Sequence, residues 1–214
     1  MTTLSDRPPP PIPRLPSIAS LRRAVQECRA CDLWEGATQA VIGEGAPNAA
    51  LVLVGEQPGD REDVEGHPFV GPAGAVLDKG LERAGIDRDE MYLTNVVKHF
   101  RYKARGKRRI HQKPDRWQVR ACQPWLTAEL EVVRPEALVC LGATAAQALL
   151  GPQIRVGRDR GRPIESDLAE LVTVTTHPSA ILRAQNEEER RAAMDEFVAD
   201  LMAVASWLSS RPAR

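Results

Sequence analysis

The feature that most constrains this chain is a regular alternation of short apolar runs with longer segments of helical periodicity. Four runs have the length and composition of buried strands, over residues 50–54, 91–97, 137–141 and 171–175. Helical patterns follow them, over residues 72–84, 116–133, 143–150 and 187–208. This alternation predicts a parallel sheet covered by helices on both faces. We therefore expect an α/β fold, a single three-layer αβα domain with a central four-stranded, mainly parallel sheet.

The length of 214 residues is enough for one well-buried domain and short for two. Residues 1–16 are rich in proline (PPPPIPRLP) and are expected to be a disordered leader. The domain is predicted to span 17–208, with a first helix capped by Ser17 or Ser20, and 209–214 to be a flexible tail. The apolar runs are far shorter than the ~20 residues that span a bilayer, and no secretion signal is recognisable, so we expect a cytoplasmic protein.

Positive charge is concentrated in one segment, although the formal net charge is +0. Residues 98–113 contain eight Lys or Arg and no Asp or Glu. We expect residues 98–115 to form a long polar loop, and such a concentration of one sign indicates a contact with a polyanion.

Ligands of parallel sheets bind beyond the carboxyl ends of the strands. The loop after the first strand, GEQPGDREDVEGHPFVGPAG, is rich in glycine and acids, which suits water activation or the stabilisation of a developing cation. In it Phe69 is a candidate for stacking on a planar base, or is a core residue of a surface turn. Asn95 at the second strand end could pair with a base edge or satisfy a turn. His177 in THPS could donate to a carbonyl or cap a helix.

Four cysteines are present, and two of them form a CxxC pair, Cys28 and Cys31. In a chain expected to be cytosolic, this spacing favours a metal or redox role over a disulfide. Cys122 falls on a predicted helix, and Cys140 falls inside the strand ALVCL.

The ordered motifs GEQPGD, GHPFVGPAG, TNVVKHF, LGATAA and THPS together resemble the uracil-DNA glycosylase superfamily, and the first is similar to that of its iron–sulfur, family 4 branch. The basic segment KRRIHQKP resembles one branch in particular, uracil-DNA glycosylase X of mycobacteria and other bacteria. The resemblance covers roughly residues 20–205. It implies excision of uracil from DNA, with the base flipped out of the stack to expose its glycosidic bond.

The resemblance also implies a role for each matching residue of the pocket. Phe69 stacks on the flipped uracil, Asn95 reads its polar edge, and the backbone around Gln57 lines the pocket. His177 stabilises uracil O2 as the bond breaks. Glu56 steadies the oxocarbenium-like sugar or orients the attacking group.

Two further expectations concern the loops beside that pocket. Asp60 is expected to assist catalysis. In the KRRIH branch a histidine, here His111, replaces water and bonds to C1′ of the sugar, and Lys107, Arg108 and Arg109 are expected to hold phosphates. From the residues alone, the favoured interpretation of His111 is a solvated member of a basic DNA-binding loop, and only the resemblance makes it the nucleophile.

The cofactor expected from the resemblance is a [4Fe-4S] cluster. Cys28, Cys31 and Cys122 supply three ligands, and His99 stands where the family has its fourth cysteine; imidazole is known to ligate cluster iron. Cys140 is the competing fourth ligand, and a Cys₃His zinc site is the competing metal centre.

Two other functions fit the same residues. One is a multiple-turnover glycosylase in which His111 only binds phosphate. The other is a non-catalytic iron–sulfur module that binds DNA. The expected partner is uracil-containing, single-stranded DNA. The protein is expected to be a monomer that does not bind membranes and that is associated with the bacterial nucleoid when bound to DNA.

Overall fold

A computed structural model describes residues 7–211 of the chain. Its strands are β1 (Glu44–Gly45), β2 (Leu51–Gly55), β3 (Tyr92–Asn95), β4 (Tyr102–Arg105), β5 (Arg108–His111), β6 (Ala137–Leu141) and β7 (Leu171–Thr175). Its helices are α1 (Ile18–Ala24), α2 (Asp60–Glu65), α3 (Pro72–Ala84), α4 (Arg116–Val133), α5 (Ala143–Leu150), α6 (Val156–Asp159), α7 (Pro178–Leu182) and α8 (Glu187–Ser209). Short 3₁₀ helices cover Val25–Glu27, Leu33–Glu35 and Arg88–Glu90.

The central sheet has the strand order β1-β3-β2-β6-β7. The four predicted strands are all present and are parallel neighbours. The predicted count of four was wrong, because β1 adds a fifth, antiparallel strand at the edge beside β3. Strand β1 has only two residues, which is too short to show the alternating pattern of a strand in the sequence. Only its pairing with β3 identifies it as a strand.

Both faces of the sheet are buried, as the continuous apolar runs require. One face packs under α3, α7 and α8, around residues such as Leu53, Val139 and Phe197. The other packs under α1, α4 and α5, around residues such as Val54 and Trp125. The predicted three-layer αβα architecture is therefore confirmed.

The basic segment is not the long polar loop that the sequence predicted. Strands β4 and β5 pair in an antiparallel hairpin, with Tyr102 opposite His111 and Arg105 opposite Arg108. Because side chains alternate along a strand, the hairpin has two different faces. Lys98, counted from sequence among the exposed cations, is fully buried at the base of this segment.

The ends of the described chain are held against the domain. Residues 7–16 contain no helix or strand, but Arg7 lies over the Trp117 ring at 5.7 Å and pairs with Glu35. At the other end Arg211 pairs with Glu170. The predicted leader and tail lie partly outside residues 7–211, and the domain boundaries stay predictions.

No helix within the described residues is long and apolar enough to cross a membrane.

A buried ion pair joins the end of β3 to α4. The Lys98 ammonium and the Glu129 carboxylate form a salt bridge, and both side chains are 0% exposed. Lys98 Nζ also donates to the Asn95 carbonyl at 2.6 Å, while Glu129 accepts from the hydroxyls of Tyr92 and Thr94, each at 2.9 Å. Each charge is thus surrounded by partners, which is the condition for tolerating it in the interior.

We expect Glu129→Ala to lower the free energy of unfolding by about 3–5 kcal/mol, because it leaves the Lys98 ammonium buried without its anion. Urea denaturation followed by circular dichroism measures the change. Glu131→Ala, at an exposed position of the same helix, is the control and should cost less than about 0.5 kcal/mol. Equal losses in the two variants would contradict a stabilising role for the pair.

Candidate active site

All the candidate residues of the pocket lie at the rim formed by the carboxyl ends of the parallel strands. Glu56 directly follows β2, Asn95 ends β3, Gly142 follows β6 and His177 follows β7. Adjacent strands place these ends next to one another, so segments far apart in the chain meet at one edge of the sheet.

The hairpin brings His111 to this rim. His111 Nε2 lies 3.4 Å from Glu56 Oε1, and the second carboxylate oxygen of Glu56 accepts a hydrogen bond from the Thr144 hydroxyl. The Glu56 side chain is 20% exposed and the His111 side chain 51%. A carboxylate held from one side by a hydroxyl therefore presents its other oxygen to an accessible imidazole.

The Gln57 side chain fixes the base of the hairpin to the rim. Its amide nitrogen donates to the Arg101 carbonyl at 3.1 Å and to the Gln112 carbonyl at 3.0 Å, and its oxygen accepts from the Arg101 amide at 3.0 Å. One buried amide thus holds both ends of the hairpin. Sequence reasoning assigned only the backbone of Gln57 to the pocket.

Phe69 has a left-handed backbone, with φ of 56°. For a bulky residue this conformation is costly and needs support from its surroundings. Arg88 donates to the Phe69 carbonyl at 3.3 Å, and the Glu62 carboxylate accepts from the Gly71 amide at 2.9 Å. A Cβ at Gly74 would collide with the Phe69 carbonyl, so glycine is required there.

Phe69 and Asn95 both lie against Gly55, the last residue of β2. A Cβ at Gly55 would collide with Asn95 Oδ1 and with Phe69 Cζ. Asn95 is 3% exposed and Phe69 is 5% exposed, so both are nearly buried. An aromatic ring and an amide are thereby brought side by side at the rim.

His177 completes the group of side chains. Its ring stacks on Phe69 with centroids 6.2 Å apart. Its Nδ1 accepts from the Ser179 amide at 3.1 Å, which assigns the proton of the neutral ring to Nε2. Burial lowers the pKa of His177 to about 4, and the charges of Arg183 and His111 act in the same direction. His177 also caps α7, as one of the two interpretations from sequence predicted, and its donation to a carbonyl stays a prediction.

Asp60 and Arg109 contact each other rather than the centre of the rim. Arg109 Nε donates to Asp60 at 2.5 Å, and Arg109 Nη1 donates to Asp63, which is fully buried. Arg109 therefore faces inward and is 22% exposed, whereas Lys107 and Arg108 are exposed at the turn of the hairpin. A catalytic role for Asp60 and a phosphate contact for Arg109 stay predictions.

Three of the four cysteines form a buried group on the α4 side of the sheet. Cys28, Cys31 and Cys122 are 4–5% exposed. Cys28 accepts a hydrogen bond from the Trp125 indole at 3.2 Å, and Cys122 accepts one from the Lys98 amide at 3.2 Å. Burial raises the pKa of Cys31 to about 11 and that of Cys122 to about 12, and Cys28 contributes to both shifts because it lies close to them.

His99 borders this group. It is 5% exposed and directly follows Lys98, whose amide contacts Cys122. Burial lowers the pKa of His99 to about 4, with a further contribution from the charge of Arg29, the residue after Cys28. Cys140, the competing candidate, lies within β6 between β2 and β7, and burial alone raises its pKa to about 12.

The chemistry of these side chains fits a soft metal centre, because thiols and a neutral imidazole are the ligands such centres use. Across residues 7–211, no group of three His, Cys, Asp or Glu side chains already has the arrangement that holds a metal ion.

Sequence reasoning missed the residues that support the site. Thr144 lies in the motif LGATAA but was not assigned a contact, Glu62 and Asp63 were seen only as acids of the first loop, and Arg88 was not singled out. A hydroxyl at the start of a helix after a strand was the available signal for Thr144. No local pattern indicates which charge a carboxylate will meet.

Comparison with known proteins agrees with this geometry. The sequence model of the uracil DNA glycosylase superfamily matches residues 42–202. A Type-4 uracil-DNA glycosylase of Thermotoga maritima is 36% identical over 174 residues, covering 81% of this chain and 87% of that protein. The Type-4 enzyme of Archaeoglobus fulgidus is 35% identical, over 81% of this chain and 87% of its own length. The Type-4 enzyme of Pyrobaculum aerophilum is 32% identical, over 86% of this chain and 91% of its own length. The chain belongs to the uracil-DNA glycosylase superfamily.

Proposed function

We propose that this protein excises uracil from DNA and is then trapped by a covalent bond from His111 to C1′ of the abasic sugar, which makes it a single-turnover enzyme. The observation that carries the proposal is the 3.4 Å separation of His111 Nε2 and Glu56 Oε1 at the rim where Phe69, Asn95 and His177 meet. Membership of the superfamily and the names of the Type-4 relatives support the excision step.

Recognition of uracil begins with flipping of the nucleotide, because a stacked base hides its glycosidic bond. Phe69 offers a ring face for the flipped base, and the neighbouring Asn95 amide pairs with its polar edge. Single-stranded DNA is the favoured substrate, since no base pair has to be broken.

Cleavage moves the electron pair of the C1′–N1 bond onto uracil, where it is shared with O2. His177 carries its proton on Nε2 and donates it in a hydrogen bond to O2 without becoming a cation first. A fixed donor aimed at developing negative charge stabilises the transition state. Glu56, an anion at the same rim, stabilises the positive charge that develops on the sugar.

Capture of the sugar uses the same carboxylate. His111 begins this step as an imidazolium with a proton on each ring nitrogen. Glu56 accepts the proton from His111 Nε2, and the electron pair left on Nε2 forms the bond to C1′. The ring becomes an N-alkylated imidazolium whose remaining proton is on Nδ1, and uracil leaves with the electron pair of the broken bond. Gln57 supports this step because it holds both ends of the hairpin that carries His111.

The hairpin also supplies DNA contacts. Lys107 and Arg108 are exposed at its turn, where they reach phosphates on one side of the flipped nucleotide. The motif KRRIH resembles that of uracil-DNA glycosylase X, and this resemblance favours capture over release. Arg109 acts on the DNA indirectly, since its ion pairs with Asp60 and Asp63 hold β5 against α2 and so position the exposed cations of the hairpin turn.

We further propose that Cys28, Cys31, Cys122 and His99 hold a [4Fe-4S] cluster. The cluster would act structurally, by fixing the segment after α1 to α4 and to the start of the basic segment. The burial and mutual proximity of the three thiols support this set, and the position of Cys140 inside β6 argues against it as a ligand.

We expect the wild type, incubated with single-stranded uracil DNA, to give a band shift that survives SDS and heat on a denaturing gel. His111→Ala should give no such band. His67→Ala is a matched control, because His67 has the same 51% exposure and also contacts a glutamate, Glu44, away from the rim. Free abasic product in many-fold excess over wild-type protein would show that water is the nucleophile. Absence of both uracil release and adduct would indicate a non-catalytic DNA-binding module.

Thr144→Val removes the hydroxyl that donates to Glu56 and keeps the side-chain shape. We expect the rate constant of uracil release in single-turnover assays to fall about 10- to 100-fold, because a hydrogen bond to a charged group is lost. Thr144→Ser retains the hydroxyl and should stay close to wild type. A valine variant as fast as the serine variant would contradict a role for this contact.

The metal centre is tested by iron, sulfide and zinc analysis together with visible absorbance of protein purified without oxygen. We expect about four irons and four sulfides per chain in the wild type. Cys122→Ala and His99→Ala should lose most of this iron, whereas Cys140→Ala should retain it. One zinc per chain would contradict the cluster, and iron loss in Cys140→Ala but not in His99→Ala would contradict the proposed fourth ligand.

A further inference from the structure

A second concentration of positive charge lies at the same rim, on the side of β7. The segment 155–162 reads RVGRDRGR, and its position follows from backbone hydrogen bonds to β7. The Gly161 amide donates to the Val174 carbonyl at 2.9 Å, and the Ile164 amide donates to the Val172 carbonyl at 2.8 Å. The chain therefore runs antiparallel to β7 and away from the rim after residue 161, which leaves α6 and the residues beside it at the rim.

One arginine of this segment anchors it to the domain. The Arg160 guanidinium forms ion pairs with Glu196 and with Asp200, and its distance to the Asp200 carboxylate is 2.9 Å. Asp200 also accepts a hydrogen bond from the Thr175 hydroxyl at 2.5 Å. Thr175 is the last residue of β7, two residues before His177. The segment is thus held rigidly beside the pocket, and the charge of Arg160 is used internally.

Four other arginines at this edge are exposed, namely Arg155, Arg158, Arg162 and Arg183. Arg158 donates to Asp159, and this contact lowers the pKa of Asp159 to about 2, so Asp159 stays ionised and offsets one of the four charges. Among the described residues, the hydrogen bonds of the Arg155 guanidinium go to the carbonyls of Pro152 and Ile154, which leave its charge unneutralised.

Arg183 lies at the end of α7, the helix that follows His177 at the rim. Arg183 donates to the Ser179 hydroxyl at 3.1 Å, and that hydroxyl lies 2.9 Å from His177 Nδ1. The charges of Arg183 and His111 both act on His177. The rim therefore has the hairpin that follows β3 on one flank, and the arginines that precede and follow β7 on the other.

We propose that Arg155, Arg158, Arg162 and Arg183 form a second phosphate-binding surface, which holds the DNA backbone on the side of the flipped nucleotide opposite the hairpin. Guanidinium groups bind phosphate oxygens through paired N–H donors. A nucleotide rotated out of its stack stays out only if the backbone is held on both sides, because a strand fixed at one side can pivot back. Phosphate contacts position the strand without reading its sequence. The proposal rests on the proposed function, since it takes nucleic acid as the ligand of the rim.

The test uses a fluorescent single-stranded oligonucleotide with one central 2′-fluoro-2′-deoxyuridine, whose glycosidic bond resists cleavage, so that anisotropy measures binding alone. The double variant Arg155→Gln/Arg162→Gln removes two charges that make no contact with the pocket. Lys79→Gln/Arg83→Gln is the matched control, on the second half of α3, which runs away from the rim.

We expect the slope of log K against log salt to fall in magnitude by about 1.4 in the double variant, since each phosphate contact with a single strand contributes about 0.7. This corresponds to about 25-fold weaker binding at 0.1 M salt. The control should keep the wild-type slope. An unchanged slope in the double variant would overturn the proposal.

Shortened probes locate the contact. Removing the nucleotides on one side of the fluorouridine should abolish the difference between the double variant and the wild type, and removing those on the other side should preserve it. A difference that survives both truncations would show that the arginines act as a general electrostatic field and would overturn a surface on one side. Uracil release from an ordinary uracil-containing oligonucleotide is assayed in parallel. If only the arginine surface is wrong, the wild type still releases uracil. If the proposed function is wrong, the wild type releases none.

Discussion

The buried ion pair between Lys98 and Glu129 is the interaction on which the two halves of the site depend. It lies at the point where the chain leaves β3, turns under α4 and enters the hairpin. On one side Lys98 Nζ holds the carbonyl of Asn95, and on the other the Lys98 amide contacts Cys122. Two buried charges are tolerated only with full sets of partners, so breaking this pair would disturb the whole junction. Asn95 and Cys122 are both held by Lys98 at that junction.

The proposed catalytic chemistry depends on a different arrangement, in which the edge of the sheet faces an anchored hairpin. Glu56 is fixed by its position at the end of β2 and by the Thr144 hydroxyl. His111 is carried on a hairpin whose base is held by Gln57 and whose side is held by the ion pairs of Arg109. The proton acceptor and the nucleophile of the proposed reaction are therefore positioned by separate supports.

Charge is distributed to match these roles, although the chain as a whole is neutral. Two acidic side chains of the first loop are used internally, where Glu62 holds a backbone amide and Asp63 holds Arg109. Their negative charge is buried away from an approaching polyanion. Exposed cations lie on the two flanks of the rim, at the hairpin turn and at the edge beside β7. A neutral protein can thus present a locally positive path for one DNA strand.

The sequence by itself determined the layered α/β fold, the four parallel strands and the loops that form the rim, because apolar periodicity reports burial directly. It also indicated Glu56, Asn95 and His177, since residues at strand ends in a parallel sheet converge at one edge. Only the tertiary structure decided that the basic segment is a hairpin, that Lys98 is buried, and that His111 meets Glu56. These outcomes depend on pairing and ion contacts between residues far apart in the chain, and local sequence patterns carry no information about which distant partner a charge will find.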